Sequence, residues 1–239
     1  MTQIKICGIT NLEDALCAAA CGADAIGFIF HPPSPRFIAA ERAKEIIAAL
    51  PAGIATVGVF VNREAEEVAQ TVEDCGLDLI QLHGDESPEY CRRFPPERVI
   101  KAVFPQTPEE LRALDAYNVQ AFLADFREAG RYGGTGKRAD WGFAAMLGKS
   151  HPLILAGGLG IENIGEALAA VAPAAVDINS GIEKAPGIKD HDRMKRITGM
   201  IRGKKGRQLP IFGMIRRKIG PRPKVIFEDP VKSAKIPPP

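Results

Sequence analysis

Aromatic side chains are scarce in this chain. One Trp and three Tyr occur beside eleven Phe among 239 residues, so aromatics are not expected to dominate the core. Long hydrophobic runs are missing too. No stretch reaches the ~18 consecutive apolar residues that mark a membrane-spanning helix, and the N-terminal segment has no basic run leading into an apolar one, so neither a span nor a secretion signal is expected. Cysteine occurs five times, at positions 7, 17, 21, 75 and 91, without any C-x-x-C pair. Cys17 and Cys21 have helical spacing, but no nearby histidine completes a metal set. Free thiols in a reducing cytoplasm are the expectation.

Acidic residues are nearly absent from one region. Residues 202–239 carry eleven Lys and Arg against Glu228 and Asp229 alone, so an acidic body of net −7 is followed by an extension of net +9. The extension is rich in proline and contains two short apolar pieces, "LPIFGMI" and "KVIFED". Such composition is expected of a weakly ordered, solvated tail. Docking of the apolar pieces onto the body or a partner subunit is the alternative. Nucleic-acid binding is not expected, because no aromatic stacking pattern accompanies the charge. The body, 1–203, is expected to form one domain, and 204–239 to lie outside it.

What is present along the body is alternation. Apolar, β-rich runs at about 3–7, 23–30, 55–61, 77–83, 98–104, 119–125, 152–159 and 174–181 are each followed by a helical pattern. The helices are expected near 11–21, 39–50, 64–75, from 87, 107–115, from 140, 162–171 and 188–201. Eight β–α units in about 200 residues imply a parallel sheet with helical crossovers and favour a (βα)8 barrel, with a doubly wound open sheet as the fallback. Polar and small residues gather where the strands end: Cys7, His83, Asp125, Gly157–Gly158 and Asp177–Asn179. In a parallel barrel these ends share one face, so residues distant in sequence meet around one pocket.

Several of these residues suit particular chemistry. "LAGGLG" after the seventh strand and "INSG" after the eighth occupy the usual phosphate-binding loops of such barrels, where backbone N–H groups and a helix N-terminus receive the anion. Gly157, Gly158, Asn179, Ser180 and Gly181 are the candidates, with Gly134 in the Gly-rich loop 127–141. That loop is not a nucleotide-triphosphate loop, because Lys137 is followed by Arg138. Arg36, stiffened by the prolines of "HPPSPRF", offers a planar fork for a carboxylate, or else is a solvated loop arginine. A thiolate at Cys7 can take a proton from carbon and a carboxylic acid at Asp125 can give one to oxygen; otherwise Cys7 is a small buried hydrophobe and Asp125 a cap or ion-pair partner.

The motifs "KICGIT" (5–10), "SPR" (34–36), "QLHG" (81–84), "GGTGKRADW" (133–141), "LAGGL" (155–159) and "DINSG" (177–181) together resemble the phosphoribosylanthranilate isomerase family of tryptophan biosynthesis, in order and spacing over about residues 3–200. The resemblance implies an Amadori rearrangement of N-(5-phosphoribosyl)anthranilate, with Cys7 as general base, Asp125 as general acid, Arg36 on the anthranilate carboxylate, and His83 and Asp177 lining the substrate pocket. It implies no metal or organic cofactor, a small phosphorylated substrate, and a monomer or homodimer. Phe126 after Asp125, and Asn179 where a serine is commoner, depart from the family pattern. Two rivals remain. One is the related aminoimidazole-carboxamide ribotide isomerase chemistry, which uses a pair of aspartates and is disfavoured by Cys7. The other is an inert barrel whose tail binds a partner.

Overall fold

The computed structural model describes residues 1–125, 141–203 and 211–212. Eight parallel strands form in chain order: β1 (Gln3–Ile6), β2 (Ala25–Ile29), β3 (Ala55–Phe60), β4 (Leu79–Leu82), β5 (Val99–Val103), β6 (Ala121–Ala124), β7 (Leu153–Leu155) and β8 (Ala175–Ile178). Each pairs with the next, and β8 returns to pair with β1, Gln3 opposite Ala175 and Ile6 opposite Ile178. The sheet is therefore a closed barrel, and an open doubly wound sheet is ruled out.

Helices α1 (Leu12–Ala20), α2 (Ala40–Ala49), α3 (Ala65–Cys75), α4 (Pro88–Cys91), α5 (Pro108–Ala113), α6 (Trp141–Ser150), α7 (Ile164–Val171) and α8 (His191–Arg202) alternate with the strands. Their starts are chemically marked. Asn11, Ser87, Thr107 and Asp190 each accept a hydrogen bond from a first-turn N–H, satisfying donors that the helix itself cannot. No described helix is long and apolar enough to cross a membrane. The last helix starts later than its apolar pattern suggests. A hairpin, β9 (Glu183–Ala185) with β10 (Ile188–Lys189), precedes it, and the Asp190 cap sets the first turn at His191.

Strand alternation divides the core in two. Outward residues such as Ile4, Ile6, Phe28, Leu82, Leu155 and Ile178 pack under the helices. Inward residues are small or aliphatic: Ala25, Val57, Leu79, Ile100, Leu123 and Ile154 fill the lumen. Ile211 and Phe212, each 2% exposed, join the inward cluster. The Phe212 N–H donates to Gln3 Oε1 at 3.2 Å, and Gln120 Nε2 donates to the Ile211 carbonyl. Gln3 opens β1 and Gln120 immediately precedes β6, so the pair caps the N-terminal end of the barrel. Ile211 and Phe212 thus lie buried against the apolar lumen end. The rest of 204–239 lies outside the described residues.

Truncation after Gly203 should therefore destabilise the barrel. Burying two large apolar side chains contributes about 1.5–3 kcal/mol each, offset by roughly 1–2 kcal/mol for ordering each residue. The expected net loss is about 1–3 kcal/mol, a fall in Tm of roughly 2–10 °C for a chain this size, with turnover kept, since the site lies at the opposite end. An unchanged thermal melt would remove any structural role for Ile211 and Phe212.

Candidate active site at the C-terminal mouth of the barrel

The chain leaves β1 through Cys7, whose N–H donates to the Ile178 carbonyl at 2.9 Å, and so the thiol sits at the seam between β1 and β8. Gly8 follows with φ of +71°. A Cβ there would lie 2.7 Å from Asn179 Oδ1 and 2.8 Å from Arg36 Cδ, so only glycine lets the β1 turn, the β8 loop and Arg36 converge. Cys7 is 3% exposed. Burial pushes its thiol up, as does the nearby Asp177 carboxylate, while the Lys5 and Lys189 ammonium groups pull the other way. The net direction is up.

Lys5 shares the inward face of β1. It is fully buried, and its Nζ lies 2.9 Å from Asp177 Oδ2. Burial opposes its charge, but Asp177 and Cys7 outweigh burial, and its pKa ends above the ordinary lysine value. The other oxygen of Asp177, Oδ1, is buried and has no hydrogen-bond partner among the described residues.

Across the mouth, β4 and β6 present His83 and Asp125, with His83 Nε2 3.4 Å from Asp125 Oδ2. Gln81 Nε2 lies 2.8 Å from His83 Nδ1. The Gln81 amide N–H can only donate, so His83 Nδ1 accepts there. The loop after His83 is pinned from behind. Glu86 accepts from the Gly84 N–H at 2.9 Å and pairs with buried Lys101 at 3.0 Å. Phe104 lies against the His83 ring, with centroids 5.7 Å apart. His31, on the loop after β2, has its imidazole pushed down by partial burial and by the proximity of His83.

Arg36 is not solvated. Its Nε and Nη2 form a fork on Glu183, at 2.9 Å to Oε1 and 2.7 Å to Oε2. Glu183 also accepts from Lys189 Nζ at 2.8 Å and from the Gly187 N–H at 3.2 Å. Despite burial, these partners, Arg36 foremost, hold the Glu183 carboxyl below the usual glutamate range. Lys189 also donates to Asn179 Oδ1 at 2.8 Å, so the Asn179 amide oxygen is directed to this cationic cluster. Burial pushes the Lys189 pKa down in spite of Glu183.

The loops after β7 and β8 meet closely. A Cβ on Gly181 would lie 2.0 Å from the Leu159 carbonyl oxygen, so the two chains touch backbone to backbone. Asn163 staples the first loop, accepting from the Gly160 N–H at 2.9 Å and donating to the Gly158 carbonyl at 2.8 Å. Gly157, Gly158, Ser180 and Gly181 are thus gathered at the mouth, next to the start of α7. Gly134 and Phe126 lie outside the described residues. Among the described residues no group of three or more His, Cys, Asp or Glu side chains is arranged to hold a metal ion.

Sequence reasoning therefore placed Cys7, His83, Asp125, Asp177 and the glycine loops at one end of the barrel. It missed Lys5, Gln81, Glu183 and Lys189. Lys5 and Gln81 had a signal, since each stands two residues before Cys7 or His83 and so on the same inward face. Glu183 and Lys189 had none, because their roles depend on a hairpin that the helical pattern concealed.

Comparison with known proteins agrees with this fold. A sequence model of the N-(5'-phosphoribosyl)anthranilate (PRA) isomerase family matches residues 4–199. The chain belongs to this isomerase family. An N-(5'-phosphoribosyl)anthranilate isomerase of Syntrophus aciditrophicus is 51% identical over 206 residues, covering 86% of this chain and 90% of that protein. The crystal structure of phosphoribosyl anthranilate isomerase from Thermotoga maritima superposes with a TM-score of 0.78 at 43% identity, covering 85% of this chain and 100% of that one. A further structure, of phosphoribosyl anthranilate isomerase in complex with reduced 1-(o-carboxyphenylamino)-1-deoxyribulose 5-phosphate, gives 0.75 at 40% identity over 85% of this chain and 100% of that one. Ile211 and Phe212 lie beyond the family match.

The Glu183 cluster yields a stability test. Glu183→Gln keeps the shape but leaves Arg36 and Lys189 without their shared anion, and breaking a buried pair costs about 3 kcal/mol. Because the folded carboxyl titrates below its unfolded value, this stabilisation is complete above the ordinary glutamate range and is lost as pH falls through the depressed folded value. Denaturant melts should show a gap between wild type and Glu183→Gln at neutral pH that closes on acidification. A gap independent of pH would mean that shape, not charge, carries the contribution.

Proposed function

We propose that the chain isomerises N-(5-phosphoribosyl)anthranilate to 1-(2-carboxyphenylamino)-1-deoxyribulose 5-phosphate, with Cys7 as general base and Asp125 as general acid. The observation that carries the reading is the placement of a buried thiol and a carboxyl at the C-terminal ends of β1 and β6, at one barrel mouth, with His83 Nε2 3.4 Å from Asp125. Family membership supports the substrate.

The chemistry follows in balanced steps. Asp125 gives a proton to the furanose ring oxygen as the C1–O bond breaks, and the anilino nitrogen lone pair forms a C1=N bond. The Cys7 thiolate then takes the C2 proton, and that electron pair forms C1=C2 while the nitrogen regains its lone pair. The resulting enolamine tautomerises, losing the C2 hydroxyl proton and gaining one at C1. Substrate and product have the same atoms and oxidation level, so only protons move. Asp177, with its unpaired Oδ1, and His83 suit the sugar hydroxyls. The glycine loops after β7 and β8 suit the phosphate through their N–H groups. Arg36 suits the anthranilate carboxylate, with the Glu183 fork fixing the guanidinium plane.

Turnover of phosphoribosylanthranilate by the purified protein is the direct test. Cys7→Ser and Asp125→Asn should each lose about 10²–10⁴-fold in kcat, the contribution of a positioned base or acid, while still binding the reduced product analogue. Near-normal turnover in either would remove that residue from its role. Arg36→Met should weaken binding of the anthranilate-bearing analogue by roughly 1.5–3 kcal/mol, the size of a charged hydrogen bond, and leave inhibition by inorganic phosphate nearly unchanged. Equal losses for both ligands would show that Arg36 does not read the carboxylate.

A further inference from the structure

We propose that Lys5 is the positioning residue that raises the share of Cys7 present as thiolate above what its buried setting would otherwise allow, its ammonium clamped by Asp177 beside the sulfur within the barrel. This rests on the reading of Cys7 as the base. Three observations carry it. Lys5 is fully buried in the lumen, where no aliphatic function needs a charge, and its Nζ lies 2.9 Å from Asp177 Oδ2. The strand register puts Lys5 directly opposite Asp177 across the β1–β8 seam. A Cβ added at Gly27, on the neighbouring β2, would lie 2.7 Å from Cys7 Sγ, 3.0 Å from Lys5 Cε and 3.1 Å from Lys5 Nζ, so sulfur and ammonium converge over an inward position that has no side chain.

The sulfur needs such a partner. Cys7 is 3% exposed, so water does little to stabilise a thiolate there. Burial and the Asp177 carboxylate both disfavour its anion; Lys5, by charge and by hydrogen bonding, is the strongest group acting the other way, with Lys189 behind it. These groups come from β1, β8 and the end of β10; Asp125 and His83 stand on β6 and β4. Asp177 alone would push the thiolate away, but it also fixes the Lys5 ammonium, and the clamp leaves that cation one further neighbour to stabilise. A cation within ~4–6 Å lowers an acid's pKa by about 1–3 units, and each unit changes the thiolate fraction tenfold below the titration.

The test reads the thiol directly. Ultraviolet thiolate absorption of the full chain is titrated with pH, and the same titration of Cys7→Ala is subtracted to isolate the Cys7 signal. In Lys5→Met the Cys7 titration should move up by about one unit or more. The rising limb of the kcat/KM pH profile should move with it, and kcat at neutral pH should fall at least about tenfold while binding of the reduced product analogue stays within a few-fold. Lys5→Met in a Cys7→Ser background should add no further loss of kcat. If Lys5→Met does not fold because Asp177 is stranded, the comparison is made in an Asp177→Asn background, which takes away the carboxylate's own effect on the thiol: a Cys7 titration in Lys5→Met/Asp177→Asn above that of Asp177→Asn supports the proposal, and coincidence of the two overturns it. A Lys5→Met titration that coincides with wild type also overturns it. Near-normal turnover by Cys7→Ser would sink the base assignment instead, and the titration would still report whether Lys5 governs the thiol.

Discussion

The closing seam between β1 and β8 is the constraint on which the site depends. A parallel barrel is complete only when its first and last strands pair, and here that pairing sets Lys5 opposite Asp177. Two residues separated by most of the chain thus become a buried ion pair at 2.9 Å. Such pairs contribute little net stability after desolvation, yet losing one partner is costly. The seam accordingly disfavours other registers: a one-residue slip of either strand would turn its charge outward, under the helices, and leave the other unpaired in the lumen. Cys7 lies one pleat beyond Lys5 on the same face, so the register that closes the barrel also aims the thiol.

The lumen is graded along its axis. Its N-terminal and middle layers are small and aliphatic, capped by Ile211 and Phe212; above them come Lys5 and Gln81, then Cys7, His83, Asp125 and Asp177 at the mouth. Polar groups placed this way are half removed from water yet remain within reach of a ligand. That low-dielectric setting strengthens every charge interaction between them and makes unpaired groups costly, as for Asp177 Oδ1.

Two further ion clusters hold the loops that the strands release. Glu86 with Lys101 fixes the turn after β4, and Glu183 with Arg36 and Lys189 ties the loops after β2 and β8 together. Both lie where loops would otherwise be free to move, and both restrict a side chain assigned to the site, His83 in one case and Arg36 in the other.

The sequence by itself determined the class of fold and which polar residues stand at the C-terminal mouth of the barrel. Alternating apolar runs and helical patterns come from local periodicity, and all eight strands and eight helices lie within a few residues of where that periodicity puts them. Cys7, His83, Asp125 and Asp177 were legible because a parallel barrel sends every strand end to one face. Tertiary structure alone decided what is non-local. No local rule pairs Lys5 with Asp177, Arg36 with Glu183 or Lys189 with Asn179, since the partners are brought together only when the sheet closes and the β8 loop folds back as a hairpin. The same holds for Phe212: composition reads "LPIFGMI" as part of a polar tail, and only the open apolar end of the lumen makes its burial favourable. Periodicity reports which face a residue occupies, whereas charge pairing and docking depend on what stands opposite that face.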